Sequence, residues 1–383
     1  MIILAIDLTY NPYGGSFSQI ENIFKNITEY KVDKCIVYCT KDNYELFKNF
    51  ENKSLVFKIS RIASLTKLIR IIWTQVFLPC RLLLDNVSLL FCPGNFSPIL
   101  TLTKKIQWIG TVGPFEKDFY RDFSINEKLN LVFNKYIMIF SALTSTHVIF
   151  ESEYTKNLFI NNYFFSSKKA SVIYLGRDDY FYPNKNKISN GREKSKGKKF
   201  LLSVSHLYPY KNIEVLLYAF SKIENTDLNI LIAGKFHTES YHRKLIDLAQ
   251  ELSITNKVIF LGGVSKEELR DLYSGCEILI FTSPFENFAY TLIEAMSCGA
   301  PIVAANTTAM PETCDDGALY FSPYSSTELI DSINKLLSNR ELMDDLKQRA
   351  IHRSSEINTY LQANIETSAI INNLIIRDRS EKR

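Results

Sequence analysis

The chain has 383 residues, 46% of them hydrophobic and 22% charged, with 14 Gly, 11 Pro and a net charge of +4. It is longer than the ~250–300 residues at which one hydrophobic core stops growing, so two domains of ordinary size are expected, and a disordered or fibrous chain is excluded. The charge is small and comes mostly from scattered lysines, with one local excess between Lys185 and Lys199, so no nucleic acid is expected as a partner.

The N-terminus, MIILAIDLTYNPYGG, is apolar with no basic region ahead of it, so it reads as a buried first strand rather than a secretory signal. A helix from about Ser18 to Tyr30 and a strand from Lys34 to Cys39 continue a βαβ rhythm. Arg61, Lys67, Arg70 and Arg81 then interleave with Ile, Leu, Trp73 and Phe77 in an amphipathic pattern that suits a helix covering a sheet or lying on a membrane. Strands follow at Val87 to Cys92, Lys105 to Gly110, His147 to Phe150 and Ser171 to Leu175, which gives a doubly wound α/β sheet for residues 1–183. Residues 184–199 are polar and Lys-rich without periodicity and read as a linker.

The rhythm restarts over residues 200–359 with strands at Phe200 to Ser205, Leu228 to Ala233, Val258 to Leu261, Ile278 to Thr282 and Ile302 to Ala305, separated by helical patterns. The final stretch, 360–383, is helical and apolar enough to pack, and in a two-domain chain it is expected to return to the first domain. Seven cysteines, Cys35, Cys39, Cys80, Cys92, Cys276, Cys298 and Cys314, form no C-x-x-C pair and have no His at zinc-ligand spacing, as in a reducing compartment. No apolar run approaches the ~20 residues of a membrane span, so a cytoplasmic chain is expected, with contact to a membrane surface still open.

The segment SPFENFAYTLIEAMSCGAP carries the strongest chemical signal, because Glu286 and Glu294 are separated by seven residues across a strand end, a loop and a helix. Glu286 falls on the loop at the C-terminal edge of the sheet, where open α/β sheets bind ligands, and Glu294 falls more than a turn into the helix. The amides opening that helix, near Asn287, Phe288, Ala289 and Thr291, suit an anion such as a diphosphate. Glu294 suits a ribose diol, and Glu286 is left to meet a sugar. A glycosidase pair is disfavoured: it needs carboxyls ~5–9.5 Å apart, whereas helix rise alone would separate residues eight apart by ~12 Å.

In this setting E-x7-E, continued by GAPIVAANTTAMPETCDDGALYF, resembles the signature of glycosyltransferase family 4, and SVSHLYPYKNIEVLLYAF resembles that family's diphosphate-holding strand, loop and helix. The resemblance implies a GT-B fold, two Rossmann-like domains facing across a cleft. It also implies retaining transfer of a hexose-type sugar from a nucleotide-diphosphate sugar to a glycan or lipid-linked glycan, as in bacterial surface polysaccharide synthesis. It makes Lys211 the phosphate lysine and puts His206 where many members have arginine. Gly234, Gly262 and Val264 in ILIAGK and VIFLGGVSKEEL are implied to surround the nucleotide base.

Gly14 and Gly15 in NPYGGSFSQ resemble the family's first-domain glycine loop, and Thr111 and Gly113 are expected on the acceptor side. The family's histidine in that region is absent from GTVGPFEKDF, and His147 reads as structural. No D-x-D occurs, so a metal-independent transferase with no cofactor is expected, Lys211 and a helix terminus serving the diphosphate. Two rivals stand beside it. A Rossmann oxidoreductase would want a G-x-G-x-x-G that NPYGGSFSQ does not supply. A catalytically silent GT-B protein, binding a sugar nucleotide or a partner enzyme, is motivated by His206 and the missing histidine. Nothing in the sequence reads on oligomeric state.

Overall fold

The apolar runs assemble into two parallel sheets, each in its own unit. The computed structural model describes residues 1–12, 15–184, 188–224 and 227–381; Gly14 and residues 185–187 of the expected linker lie outside them.

The first unit comprises Met1–Phe115, Phe123–Gly176 and Asn358–Arg383. Its strands are β1 (Ile3–Leu8), β2 (Lys34–Cys39), β3 (Leu55–Ile59), β4 (Leu89–Cys92), β5 (Lys104–Ile109), β6 (His147–Phe150) and β7 (Ala170–Val172). They pair in parallel in the order β3-β2-β1-β4-β5-β6-β7. Every residue of β1 is buried, which is why it shows no alternation: helices cover both faces of a parallel sheet. The order reverses between β1 and β4. Strand β3 carries no clear sequence signal because it is an edge strand whose Lys58 and Ile59 are exposed.

The second unit comprises Glu116–Asp122 and Arg177–Ile357. It contains β8 (Lys199–Val204), β9 (Leu228–Ala233), β10 (Val258–Gly262), β11 (Ile278–Phe281), β12 (Ile302–Ala305) and β13 (Leu319–Phe321) in the order β10-β9-β8-β11-β12-β13. Its core packs Leu201, Ile230 and Ile280 of the sheet against Leu216, Leu245 and Leu329 of the covering helices. Strand β13 is three residues long, too short to show a period.

The boundaries differ from the sequence reading in three places. Residues 188–194 form a helix, Ile188–Lys194, rather than a linker, and the second unit begins at Arg177 instead of after 183. Tertiary contacts hold that polar helix. A Cβ on Gly191 would meet the Phe200 ring at 2.6 Å, so only glycine lets the helix close on the sheet, and Lys194 Nζ donates to Glu268 Oε1 at 2.7 Å. Residues 116–122 belong to the second unit, with the Phe119 ring 5.3 Å from Tyr210 and 5.5 Å from Phe285. The return to the first unit falls at Asn358, two residues before the expected 360; in the helix Tyr360–Glu381, Asn364 Oδ1 accepts from Tyr30 Oη at 2.6 Å.

The amphipathic stretch is helical from Lys67 to Leu84, with a π turn at Trp73–Phe77. Trp73, Thr74, Leu78 and Leu82 face the core, while Leu68, Ile72, Val76 and Leu84 stay exposed, so the segment has two apolar faces and buries one. Among the described residues no helix is long and apolar enough to cross a membrane.

Candidate functional site

In the second unit the strand order reverses between β8 and β11, and the loops leaving the C-terminal ends of those two strands carry Lys211 and Glu286. In open α/β sheets that reversal opens a crevice that takes ligands. Two independent segments are thereby brought to one place.

After β8 the chain makes a 3-10 turn, Pro209–Lys211, and enters the helix Ile213–Ser221 through Asn212, which is left-handed with φ 56°. Asn212 Nδ2 donates to Pro323 O at 2.6 Å, and Thr282 Oγ1 donates to Lys211 O at 2.8 Å, so the turn is pinned from two neighbouring loops. The Lys211 ammonium lies 5.2 Å from the centre of the Tyr210 ring and is hydrogen-bonded to Glu286 Oε1. Glu286 is held in turn by its amide, which donates to Thr308 Oγ1 at 3.3 Å, while Thr307 Oγ1 donates to Pro284 O at 3.3 Å. The pair is mostly shielded, with side chains 14% and 17% exposed. Beside it, at the ends of the same two strands, the hydroxyls of Ser205 and Ser283 are buried without a hydrogen-bond partner.

His206 does not supply a second positive charge in the free protein. Burial, then the nearby Lys211 and Lys235 cations, hold its imidazole below the ordinary 6.5, so it is neutral at pH 7. Lys235, two residues beyond β9, is a cation that sequence reasoning passes over; its signal is the Gly-Lys ending of ILIAGK. Thr282, Thr307 and Thr308 were also passed over, because they act by fixing the loops and no local pattern marks that work.

Gly234 follows β9 and Gly262 ends β10, and the two are joined by a hydrogen bond from Gly234 N to Gly262 O at 2.7 Å. Both have left-handed backbone, φ +143° and +67°. Val264 is half-buried in the turn that follows. Asn287, Phe288 and Ala289 are buried where the helix Tyr290–Ser297 begins, and Ala289 is its N-cap residue with no side chain capping the helix.

Glu294 lies within this helix and accepts from Tyr273 Oη at 3.1 Å. Burial pushes its carboxyl up to about 7, against a smaller opposing effect of the Tyr273 bond. A carboxyl that ionises at its ordinary 4.5 in the unfolded chain and near 7 in the folded one costs nothing below pH 4.5. Its cost grows as pH rises between the two values and is complete above the second. Glu294→Gln keeps an acceptor for Tyr273 and removes that cost. The variant is expected to match the wild type in Tm near pH 4.5 and to exceed it at pH 8, by at most about 3 kcal/mol of stability. Parallel curves across that range would show Glu294 to be as well solvated folded as unfolded.

Four acceptor-side candidates fall in the first unit. Gly14 lies outside the described residues, and Gly15 opens the helix Gly15–Lys25 after β1, next to that sheet's own order reversal. Thr111 and Gly113 follow β5, with Gly113 buried in a short 3-10 turn. The same edge gathers two buried carboxylates without a sequence signal. Asp7 Oδ1 accepts from Thr9 Oγ1 at 2.8 Å, and Glu151 Oε1 accepts from Trp108 Nε1 at 2.8 Å. His147 Nε2 shares a hydrogen bond with Ser171 Oγ at 2.9 Å inside the sheet. Among the described residues no group of three or more His, Cys, Asp and Glu side chains is placed to hold a metal ion.

Residues 184–353 match the family described as Glycosyl transferases group 1. The serotype-specific mannosyltransferase WbdA of Escherichia coli is 29% identical over 161 residues, 41% of this chain and 20% of that protein. The O-antigen chain mannosyltransferase RfbU of Salmonella typhimurium is 28% identical over 210 residues, 54% of each chain. The chain thus spans a fifth of the first relative's length and about half of the second's. Anabaena Alr3699/HepE, solved in complex with UDP, superposes with a TM-score of 0.72 at 19% identity over the whole of both chains, a likeness of GT-B fold.

Proposed function

We propose that this chain, whose residues 184–353 match the group 1 glycosyltransferases, transfers a hexose-type sugar with retention from a nucleotide-diphosphate sugar to a glycan or lipid-linked glycan in surface polysaccharide synthesis. The observation that carries this reading is the Lys211–Glu286 pair at the strand-order reversal of the second sheet. A diphosphate arriving there competes for the Lys211 ammonium. Once Lys211 turns to the phosphate oxygens, Glu286 is released to accept hydrogen bonds from sugar hydroxyls, so one binding event arms both groups.

In the chemical step the bond from the sugar's anomeric carbon to the diphosphate oxygen breaks, and the acceptor oxygen bonds on the same face. The acceptor's proton passes to the departing diphosphate. Negative charge grows on that leaving group, and Lys211 with the N-terminal end of the helix Tyr290–Ser297 stabilises it electrostatically without a required metal. Glu294 takes the ribose diol, and the edge of Gly234, Gly262 and Val264 takes the base. The acceptor-side roles of Gly15, Thr111 and Gly113 are part of the same proposal.

The mannosyltransferase relatives and the UDP complex name the first donors to try. Purified protein is offered UDP-, GDP- and dTDP-sugars in EDTA, and release of nucleoside diphosphate is followed. Turnover of one donor, lost in Glu286→Ala, supports the reading. Binding without turnover favours a silent sugar-nucleotide binder, the reading for which the neutral His206 speaks.

The same proposal places the work at the cytoplasmic face of a membrane. Leu68, Ile72 and Val76 are exposed on the first segment, and Leu129, Phe133 and Phe140 are exposed on the helix Ile125–Leu143. The two segments are tied through the intervening loop: Gln75 Nε2 donates to Ser97 O at 3.1 Å and Gln107 Nε2 bonds Met138 O at 3.3 Å, with Gln107 also accepting from Ser97. Arg61 and Arg81 stand exposed in the first segment, and each basic group near an anionic surface contributes ~1 kcal/mol. The protein is expected to pellet with phosphatidylglycerol vesicles at low salt and to do so less after Val76→Glu; no pelleting at low salt removes this part of the proposal.

A further inference from the structure

The second unit holds a groove of about 1060 Å³ that is lined by Tyr210 and Phe285 but not by their chain neighbours Lys211 and Glu286. Its volume is at the top of the ~300–1,000 Å³ range of small-molecule sites, larger than one hexose requires. Nothing in the donor reading uses it.

Two features of its walls define the chemistry it takes. The first is aromatic: Tyr218 and Tyr324 line it and are 48% and 50% exposed, large rings left in water. Exposed tyrosines offer an apolar face together with a polar tip and cost little conformational entropy on contact. The second is charge. Six lining carboxylates, those of Asp118, Asp122, Glu214, Glu239, Asp247 and Glu251, outnumber three cationic groups, which disfavours a phosphate or any other anion. Glu214 is already engaged by Tyr241 Oη and Lys244 Nζ, at 2.8 Å each, and Glu239 by Arg243 at 3.5 Å. Asp118, Asp122 and Asp247 have no side-chain hydrogen bond or ion pair among the described residues.

Ionised carboxylates only accept hydrogen bonds, so their natural partners are hydroxyl donors in number. A ligand with apolar C–H faces and a rim of hydroxyls, neutral and longer than one ring, meets every one of these conditions: that is an oligosaccharide. The rim is built rather than incidental, because Phe119, wedged between Tyr210 and Phe285, fixes the segment that carries Asp118 and Asp122.

We propose that this groove binds a neutral oligosaccharide, the part of the acceptor or product glycan remote from its reacting end; this rests on the transferase reading above. The groove then lets the enzyme prefer a long glycan to a short one by contacts the reacting sugar never makes, and holds the chain between successive transfers.

The test uses the full chain and a panel of neutral tetrasaccharides, α-manno, α-gluco and β-gluco linked, each beside its methyl monosaccharide, with binding followed by saturation-transfer NMR and UDP binding measured in parallel. At least one tetrasaccharide is expected to bind, its monosaccharide at least about tenfold more weakly. Tyr218→Ala/Tyr324→Ala is expected to weaken that tetrasaccharide about tenfold or more with UDP affinity unchanged, and Asp247→Asn to weaken it without touching the rings. A protein that binds no tetrasaccharide, or binds it equally well in the variants, overturns the proposal. Binding that persists in a protein found to turn over no nucleotide sugar would sink the transferase reading and leave the groove standing.

Discussion

Lys211→Ala is expected to lower kcat at saturating donor by about 10²–10³-fold, the loss measured when a single donor to a developing oxyanion is removed. In the proposed reaction the leaving diphosphate gains charge as the sugar departs, and Lys211 is the cation that both neighbouring loops are built to hold, through Thr282 on one side and Asn212 on the other. Glu286→Ala is expected to cost a comparable factor for a different reason, since in the proposed reaction it orients the sugar rather than the leaving group. The two are paired in the free protein, and that coupling makes a sharper test than either loss alone. Removing one partner leaves the other mostly shielded and unpaired, which costs about 1–3 kcal/mol. Removing both leaves no orphan charge. The double variant is therefore expected to be more stable to urea than either single variant while showing no recovery of activity. A Lys211→Ala protein that keeps kcat within a few fold would take the diphosphate role away from Lys211. Stabilities that simply add would mean that the two side chains meet only loosely. Lys211→Arg is not expected to rescue: the planar fork is longer than the ammonium and cannot keep its place over Tyr210 and against Glu286.

What the sequence revealed of this site is what is local in it. Glu286 and Glu294 are legible because a strand, a loop and a helix follow one another within twenty residues, and their geometry needs nothing from the rest of the chain. Lys211 is legible for the same reason. The supports are not. Thr308 meets Glu286 across 22 positions and Thr282 meets Lys211 across 71, and a threonine in a loop looks alike whether or not it holds anything. The 188–194 helix reads as a linker because its own composition is polar; its order comes from Gly191 against Phe200 and from Lys194 with Glu268. Residues 116–122 joined the wrong unit for a related reason, since chain order puts them in the first sheet's territory while the ring of Phe119 packs with Tyr210 and Phe285. The buried Asp7, inside β1, and Glu151, directly after β6, give no local warning of their burial. Strand and motif order is thus readable residue by residue, whereas anything settled by a contact between distant segments is not.

The second large effect is on folding. Gly234→Ala is expected to destabilise the protein by roughly 4 kcal/mol or more, in the exceptional range for a single methyl group. A Cβ at that position would stand 1.7 Å from Ser205 O, a backbone atom in the middle of a paired strand end that has no way to yield, and φ is +143°, where alanine is strained in any case. Gly262, its hydrogen-bonded neighbour on the same edge, has φ +67° and open space where a Cβ would go, so Gly262→Ala should carry only the left-handed penalty of about 1–2 kcal/mol. Urea unfolding of the two variants separates steric from conformational cost on adjacent strands. The same pair separates two uses of glycine at the edge proposed to take the base. Gly234 is needed so that β8 and β9 can close at their ends, and its loss should displace Ser205 and His206 and remove nucleotide binding together with stability. At Gly262 the methyl group projects into the space proposed for the base, so a variant that folds nearly as well as the wild type should still bind UDP more weakly. Equal destabilisation in both variants would mean that the edge relaxes around Gly234, and unchanged UDP affinity in Gly262→Ala would move the base away from β10.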